Sequence, residues 1–250
     1  MEYLIINNKI LEVRDGLISV DQRIVRFGDG AFETCRIIDQ KVKNFNSHLK
    51  RLQSSLMELK IMANISHLEE LSYQLINKNK LKNGFLRISI SRGAGSSGYL
   101  PKKDIEPLII IENLPYVPKK YDKIILGVSK YKRISSDLLP MNGKISNNLI
   151  SVMAKIEAEE KGLFDVVLLN EKDEITETSS ANIFWKKNGK IYTPDLLTGI
   201  VVGTVREEFI RDNKVFEVKA GISELTEADE VFITNVNVGI FKVDKLIKYS

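Results

Sequence analysis

The sequence predicts a mixed α/β protein of the α+β class, built as two domains with mixed sheets. Both halves of the chain alternate stretches of period-two hydrophobicity, typical of strands, with stretches of helical periodicity. A segment at 114–122 has two prolines, a basic end and no periodicity, which favours a linker. A chain of 250 residues can supply the cores of two modest domains. We therefore predict a smaller N-terminal α/β domain at 1–113 and a larger C-terminal domain at 123–250.

Hairpins precede helices in the first domain. Asn7-Asn8 forms a plausible two-residue turn between strands at 3–6 and 9–13. A turn at 39–41 joins strands at 32–38 and 42–45 in the same manner. The remaining elements are a helix with leucines at 49, 52, 56 and 59 after a cap at Asn46 or Ser47, a second helix at 68–76, and strands at 85–91 and 108–112.

The second domain repeats the mixture of strands and helices. A helical pattern runs from Ile145 to Ile156 and ends near Gly162. Asn188-Gly189 is a strong hairpin signal, and Gly203 leads a helix to about Asp212. Strands are predicted at 123–129, 165–169, 182–185, 190–193, 215–218 and 230–234.

Composition excludes several classes of function. The net charge of +4 is small and the lysines are scattered, without the basic stripe and interleaved aromatics of a nucleic-acid-binding protein. No apolar run approaches the roughly 20 residues of a membrane helix, and the N-terminus does not resemble a signal peptide. Cys35 is the single cysteine, so no intrachain disulfide can form. These features predict a cytoplasmic protein that binds neither nucleic acid nor membranes.

One glycine motif suggests a dinucleotide site, but its context argues against it. Residues 93–98 read G-x-G-x-x-G after a predicted strand. A dinucleotide fold needs such a loop to open a helix, whose N-terminus meets the pyrophosphate. Here Pro101 follows within three residues and no helical periodicity begins. We interpret the segment as a flexible loop beside a site.

Three segments stand out for the chemistry that they could support. They are Asn142-Gly143-Lys144-Ile145-Ser146-Asn147, Ile175-Thr176-Glu177-Thr178-Ser179-Ser180-Ala181-Asn182-Ile183-Phe184, and Gly203-Thr204-Val205-Arg206. They offer a lysine at a predicted loop-to-helix junction, an acid after a short strand, and a glycine at a helix N-terminus suited to an anion, which are the groups that pyridoxal 5'-phosphate (PLP) requires. Their order and wording resemble the class IV aminotransferase family, the fold-type IV PLP enzymes, from Met1 to about Val243.

The resemblance implies a fold like that of D-amino acid aminotransferase, a PLP-binding C-terminal domain and a role for each matched residue. Lys144 would form the Schiff base with PLP and move the substrate Cα proton. Glu177 would hydrogen-bond the pyridine nitrogen and keep it protonated. Family members often have a hydroxyl residue where Val205 stands, so here only the backbone N–H of Val205 could serve. The phosphate ligands implied are Arg51, the amides of Gly203, Thr204 and Val205, and the loop of Asn235 and Val236.

Substrate recognition is expected from the first domain. Residues 26–36 resemble the opening signature of the family, and this segment contains Thr34. Arg87 and Arg92 are candidates to clamp a substrate carboxylate, which arginine binds bidentately. In a regular strand they point to opposite faces, so only one of them reaches the site. We assign no metal ligands.

Three subtypes of the family compete, namely branched-chain L-aminotransferase, D-amino acid aminotransferase and 4-amino-4-deoxychorismate lyase. Branched-chain enzymes usually carry a tyrosine five residues after the lysine, where this chain has Leu149. The wording at 27–30, at 90–95 with 98–99, and at 181–185 is most similar to the lyase. Ser97, however, stands where lyases often have an arginine, which keeps a transaminase open as the alternative.

The resemblance also has implications for partners, and it leaves a non-enzymatic function to be considered. The resemblance implies a homodimer that acts on a small-molecule amino substrate. A non-catalytic ligand carrier with the same fold is the alternative from another class. The presence of Lys144, Glu177 and Arg51 together argues against a carrier, because a carrier does not need an electron sink.

Overall fold

The computed structural model describes residues 1–95, 98–117, 121–138 and 142–247. The chain divides into two compact units. The first unit comprises Met1–Pro118 together with Gly143–Asn147, and the second comprises Lys119–Asn142 and Asn148–Ser250. The domain boundaries drawn from the sequence stay a prediction, and part of the linker they contain, 118–120, lies outside the described residues.

A six-stranded antiparallel sheet forms the first unit, in the order β2-β1-β6-β5-β3-β4. Its turns follow local sequence chemistry. Asn7 and Asn8 both have positive φ and join β1 to β2, which confirms the predicted hairpin. The elements are β1 (Tyr3–Ile6), β2 (Lys9–Glu12), α1 (Arg23–Phe27), β3 (Gly30–Ile38), β4 (Lys41–Val42), α2 (Phe45–Glu58), α3 (Leu68–Lys78), β5 (Gly84–Ser91) and β6 (Leu108–Pro115).

One face of this sheet packs on the helices and the other stays half-buried. Period-two alternation turns Cys35 and Ile37 of β3 into the core, beside every second residue of β5. Leu52 and Leu56 of α2 and residues of α3 cover that face. The opposite face carries Phe32, Thr34 and Arg87, which are only partly buried. Polar side chains can therefore act from this second face without entering the core.

Two mixed sheets build the second unit. One has the order β12-β11-β10-β13-β14 and the other β15-β7-β8-β9, and each contains parallel and antiparallel pairs. The predicted α+β class with mixed sheets is thereby confirmed. The elements are β7 (Ile125–Arg133), α4 (Leu149–Glu160), β8 (Asp165–Asn170), β9 (Ile175–Thr178), β10 (Asn182–Lys187), β11 (Lys190–Pro194), α5 (Thr204–Asp212), β12 (Val215–Val218), α6 (Ser223–Thr226), β13 (Glu230–Asn235), β14 (Gly239–Lys242) and β15 (Lys245–Ile247).

The core of the second unit lies around Trp185. Ile183 and Trp185 on β10 pack with residues of β8, β9 and β13. Asn188 and Gly189 both have positive φ between β10 and β11, as a two-residue hairpin of this type requires. Ala154 and Ala158 bring α4 against β8, because their small side chains permit close packing.

Two sequence predictions of secondary structure are wrong, and two short strands were not predicted. Asp39 and Gln40 form a tight turn, so β4 is shorter than the strand predicted at 42–45 and α2 begins at Phe45. Helix α4 begins at Leu149 and not near Ile145, because residues 144–146 pair with β3. Strands β14 and β15 were not predicted, since their short segments carry little periodicity.

None of the helices in the described ranges has both the length and the apolarity to cross a bilayer.

A buried ion pair joins β3 to α2 in the first unit. Glu33 is fully buried and accepts hydrogen bonds from Arg51 Nε at 2.6 Å and Arg51 Nη2 at 2.7 Å. His48 Nδ1 lies 2.7 Å from the same carboxylate. Burial by itself raises the pKa of Glu33, but the hydrogen bonds to Arg51 and His48 hold this pKa below its ordinary value. The carboxylate is therefore ionised inside the core.

This cluster also includes the cysteine. Ligand atoms of Glu33, Cys35 and His48 lie within 4.8 Å of one another, a spacing that could suit a metal ion. Glu33, however, already binds the guanidinium of Arg51, and burial raises the pKa of the Cys35 thiol well above its ordinary value. A protonated thiol is a poor ligand, so we assign the cluster to the core.

The lowered pKa of Glu33 predicts a loss of stability in acid. A carboxylate with a lowered folded-state pKa contributes stability above its unfolded pKa of about 4.3 and loses it as the pH falls through the folded value. We expect Glu33→Gln to lower the free energy of unfolding by about 3 kcal/mol at neutral pH, because it removes the charge facing a buried guanidinium. Urea unfolding over a pH series should show that the difference in free energy of unfolding between wild type and Glu33→Gln becomes smaller below about pH 4.3. A difference that stays constant through the acid range would contradict the assignment.

Candidate active site

The segment around Lys144 lies along β3 in the first unit. Phe32 N donates to Lys144 O at 3.0 Å, and Ser146 N donates to Gly30 O at 2.8 Å. Ile145 forms a bridge with Ala31 between these two bonds. Lys144 is thus presented from an extended, paired backbone, and the helical junction predicted from the sequence begins only at Leu149.

Lys144 and Arg87 approach the same aromatic ring. Lys144 Nζ is 4.6 Å from the centroid of the Phe32 ring, and the guanidinium carbon of Arg87 is 4.4 Å from it. Thr34 is the direct cross-strand partner of Arg87, and Phe32 lies two residues before Thr34 on the same face. An amine, a guanidinium fork and a hydroxyl therefore occupy one face of the sheet.

Arg92 is used differently from Arg87. Its Nε and Nη2 donate to the two carboxylate oxygens of Asp29, at 2.8 and 3.0 Å. Nη1 also donates to Lys60 O and Nη2 to Leu59 O, at the end of α2. These bonds tie the end of β5 to α2 and α1. Of the two arginines, Arg87 is therefore the one whose surroundings suit a substrate carboxylate.

Arg51 is held by its pairing with Glu33. The two parallel hydrogen bonds fix the plane of the guanidinium, and the side chain is 10% exposed. His48, on the preceding turn of α2, fixes the same carboxylate. The contact between Glu33 and His48 was not predicted from the sequence, because residues 15 positions apart offer no local signal of it.

Glu177 is a buried acid of the second unit whose carboxylate accepts several hydrogen bonds. Its Oε1 accepts from Arg133 Nη1 at 2.6 Å, and its Oε2 accepts from Asn182 Nδ2 at 3.0 Å and Val201 N at 3.2 Å. A carboxylate accepts N–H donors, and a pyridinium nitrogen is a donor of this kind. Arg133 was missed from the sequence, since it lies 44 residues from Glu177 inside the basic run 130–133.

Gly203 permits a close approach to Asn182 at the start of α5. A Cβ at position 203 would lie 1.9 Å from Asn182 Oδ1, so only glycine fits. Asn182 also donates to Val201 O at 2.9 Å and pairs across the sheet with Thr234. Asn182 therefore links Glu177, Gly203 and β13.

The start of α5 suits the phosphate of PLP. The hydroxyls of Thr204 and Thr234 are buried and have no hydrogen-bond partner among the described residues. Buried hydroxyls normally bind an acceptor, and the first amides of a helix attract an anion. The side chain of Val205 offers no hydroxyl, so position 205 can contribute only its N–H. This donor set fits a phosphate group.

Asn235 and Val236 begin the turn between β13 and β14. Asn235 Nδ2 donates to Ser180 O at 3.0 Å, and its Oδ1 accepts from the amides of Asn237 and Val238 at 2.9 Å. The side chain of Asn235 thus shapes the turn. Ser97, the residue at which the sequence departs from the lyase pattern, lies outside the described residues.

Comparison with known proteins gives the family. The family described as "Amino-transferase class IV" matches residues 30–246. A putative branched-chain-amino-acid aminotransferase of Methanocaldococcus jannaschii is 31% identical over 250 residues, covering 96% of this chain and 87% of the relative. An aminodeoxychorismate lyase of Vibrio harveyi is 27% identical over 235 residues, covering 90% and 86%.

A solved structure agrees with these relatives. The branched-chain amino acid aminotransferase of Escherichia coli superposes with a TM-score of 0.90 at 25% identity, covering 98% of this chain and 85% of that one. The predicted resemblance, fold and cofactor are thereby confirmed. This chain belongs to the class IV aminotransferase family of PLP-dependent enzymes.

Proposed function

We propose that the protein is a 4-amino-4-deoxychorismate lyase that releases pyruvate and 4-aminobenzoate, a reaction of folate synthesis. The grouping of side chains around Phe32 supports a substrate that has both an amine and a carboxylate. Lys144 Nζ and the Arg87 guanidinium approach this ring at 4.6 and 4.4 Å. The amine of Lys144 can take up a proton, and the guanidinium of Arg87 can bind a carboxylate. Both groups then lie on the same face of the sheet.

Every predicted site residue except Arg92 has a role in this proposal. Lys144 attaches PLP and accepts the proton lost from the carbon that bears the substrate amine. PLP supplies an electron sink when bound, and Glu177 keeps its ring nitrogen protonated. The phosphate is bound by Arg51, Gly203, Thr204, Val205, Asn235 and Val236, with the buried Thr204 hydroxyl as a further donor.

Arg87 and Thr34 are the proposed substrate contacts. The guanidinium of Arg87 binds a carboxylate bidentately, and its contact with Phe32 fixes the orientation of the fork. Thr34, directly across from Arg87, offers a hydroxyl to a substrate oxygen. The substrate loses a proton, its bond to the enolpyruvyl oxygen breaks, and the leaving enolpyruvate gains a proton to become pyruvate. The remaining ring becomes aromatic, which favours this direction.

A transaminase that acts on D-amino acids or branched-chain L-amino acids is the second candidate. The 31% identity to the putative branched-chain enzyme of Methanocaldococcus jannaschii favours it, and Ser97 replaces an arginine common in lyases. Leu149, where branched-chain enzymes usually have tyrosine, and the identity to the lyase of Vibrio harveyi favour the lyase. Both reactions use the same Lys144, so only the product distinguishes them. The cytoplasmic location and the homodimer stay predictions of the sequence.

The product of the reaction tests the lyase proposal. PLP-loaded protein is mixed with enzymatically generated 4-amino-4-deoxychorismate and no oxo acid. We expect equal amounts of 4-aminobenzoate and pyruvate over many turnovers, and a rate at least about 10³-fold lower for Lys144→Arg, which keeps the charge but cannot attach PLP. No product, together with conversion of the cofactor to its pyridoxamine form by amino acids, would identify a transaminase instead.

Substitution of the two arginines tests which one binds the substrate. Arg87→Ala should raise KM roughly 10- to 100-fold, because charge-assisted hydrogen bonds contribute about 1.5–3 kcal/mol. Arg87→Lys should retain part of this binding. Arg92→Lys serves as the control, and we expect it to lower the free energy of unfolding while KM stays within about twofold. A large KM effect at Arg92 with none at Arg87 would reverse the assignment.

A further inference from the structure

Helix α2 contacts the backbone beside Lys144 through two side chains. Lys144 N donates to Ser55 Oγ at 3.0 Å, and Gly143 N donates to Glu58 Oε2 at 2.9 Å. All four residues belong to the first unit. Two successive amides are therefore bound by side chains that lie 85 or more residues away in the sequence.

The helix approaches this segment more closely than most side chains permit. A Cβ on Gly143 would lie 2.7 Å from Ser55 Oγ, 2.8 Å from Glu58 Oε2 and 2.9 Å from Ser55 Cα. Any larger residue at 143 would push the backbone away from α2 and lengthen both hydrogen bonds. Glycine is thus required at 143 by the contact with α2, independently of backbone conformation.

Ser55 uses both functions of its hydroxyl. It is fully buried, donates to Arg51 O one turn earlier at 2.8 Å, and accepts from Lys144 N. Without the hydroxyl, the Lys144 N–H loses this acceptor in a part-buried site, which costs roughly 1–3 kcal/mol. The same turn of α2 thereby connects the backbone of Arg51 with the backbone of Lys144.

Both backbone groups of Lys144 are fixed by different elements. Its N–H is bound by Ser55 of α2, and its C=O accepts from Phe32 N of β3. The position of the Lys144 Cα is thus fixed by hydrogen bonds to both α2 and β3. The amine then approaches the ring of Phe32, the same residue whose N–H holds the carbonyl.

We propose that Ser55 and Glu58 are positioning residues for Lys144. They hold the two amides before and at the lysine, so that the ε-amine stays where it would attach PLP and take up the substrate proton. The inference rests on the proposed role of Lys144 as the residue that attaches PLP. Neither side chain touches the reacting atoms.

Ser55→Ala tests the proposal, with Ser54→Ala as the matched control because Ser54 is exposed on the neighbouring position of the same helix. Apo-protein is mixed with PLP, and the covalent product is trapped with borohydride at successive times and located by mass spectrometry. We expect attachment at Lys144 to slow about tenfold in Ser55→Ala and not in Ser54→Ala. In the loaded enzyme kcat should fall by a similar factor, while KM, set by Arg87, stays within about twofold.

Glu58 supplies a second pair of variants if Ser55→Ala folds poorly. Glu58→Gln keeps an oxygen acceptor for Gly143 N and should attach PLP at nearly the wild-type rate, whereas Glu58→Met should be about tenfold slower. If wild type attaches PLP at Lys144 and neither Ser55→Ala nor Glu58→Met slows it, the positioning role is wrong. If wild type never attaches PLP at Lys144, the proposed function itself fails.

Discussion

The pairing of residues 144–146 with β3 is the constraint on which the site depends. The segment lies far from β3 in the sequence, yet its backbone bonds to Gly30 and Phe32 make it part of the first unit. A lysine on a mobile loop would lose entropy each time it reached a reacting carbon. Here that loss occurs on folding, because sheet and helix hold the backbone before a substrate arrives.

Buried charge plays a parallel role at the other functional groups. Glu33 fixes the plane of Arg51, and Arg133 and Asn182 fix the carboxylate of Glu177. Such pairs contribute little net stability when both charges are buried, since desolvation offsets their attraction. Their main effect is on geometry, because a planar fork and a carboxylate with several donors have one favourable arrangement. The groups that we propose as ligands of the phosphate and of the pyridinium are therefore oriented before either is bound.

Local chemistry explains which sequence predictions hold. The turns at Asn7-Asn8 and Asn188-Gly189 were predictable because these residues tolerate positive φ. The helix expected from Ile145 begins late, because tertiary pairing with β3 overrides its apolar spacing. Arg133 and Ser55 could not be found from the sequence, since their partners are distant and neither lies in a motif. The choice between Arg87 and Arg92 likewise needed the bonds of Arg92 to Asp29.

The attachment site of the cofactor decides whether Lys144 is the residue that binds PLP. PLP-loaded wild-type protein is reduced with borohydride, digested, and mapped by mass spectrometry. We expect a single phosphopyridoxyl group on Lys144, and none on the lysines of the basic run 130–133. Modification of another lysine, or a protein that takes up no PLP at all, would contradict the assignment of Lys144.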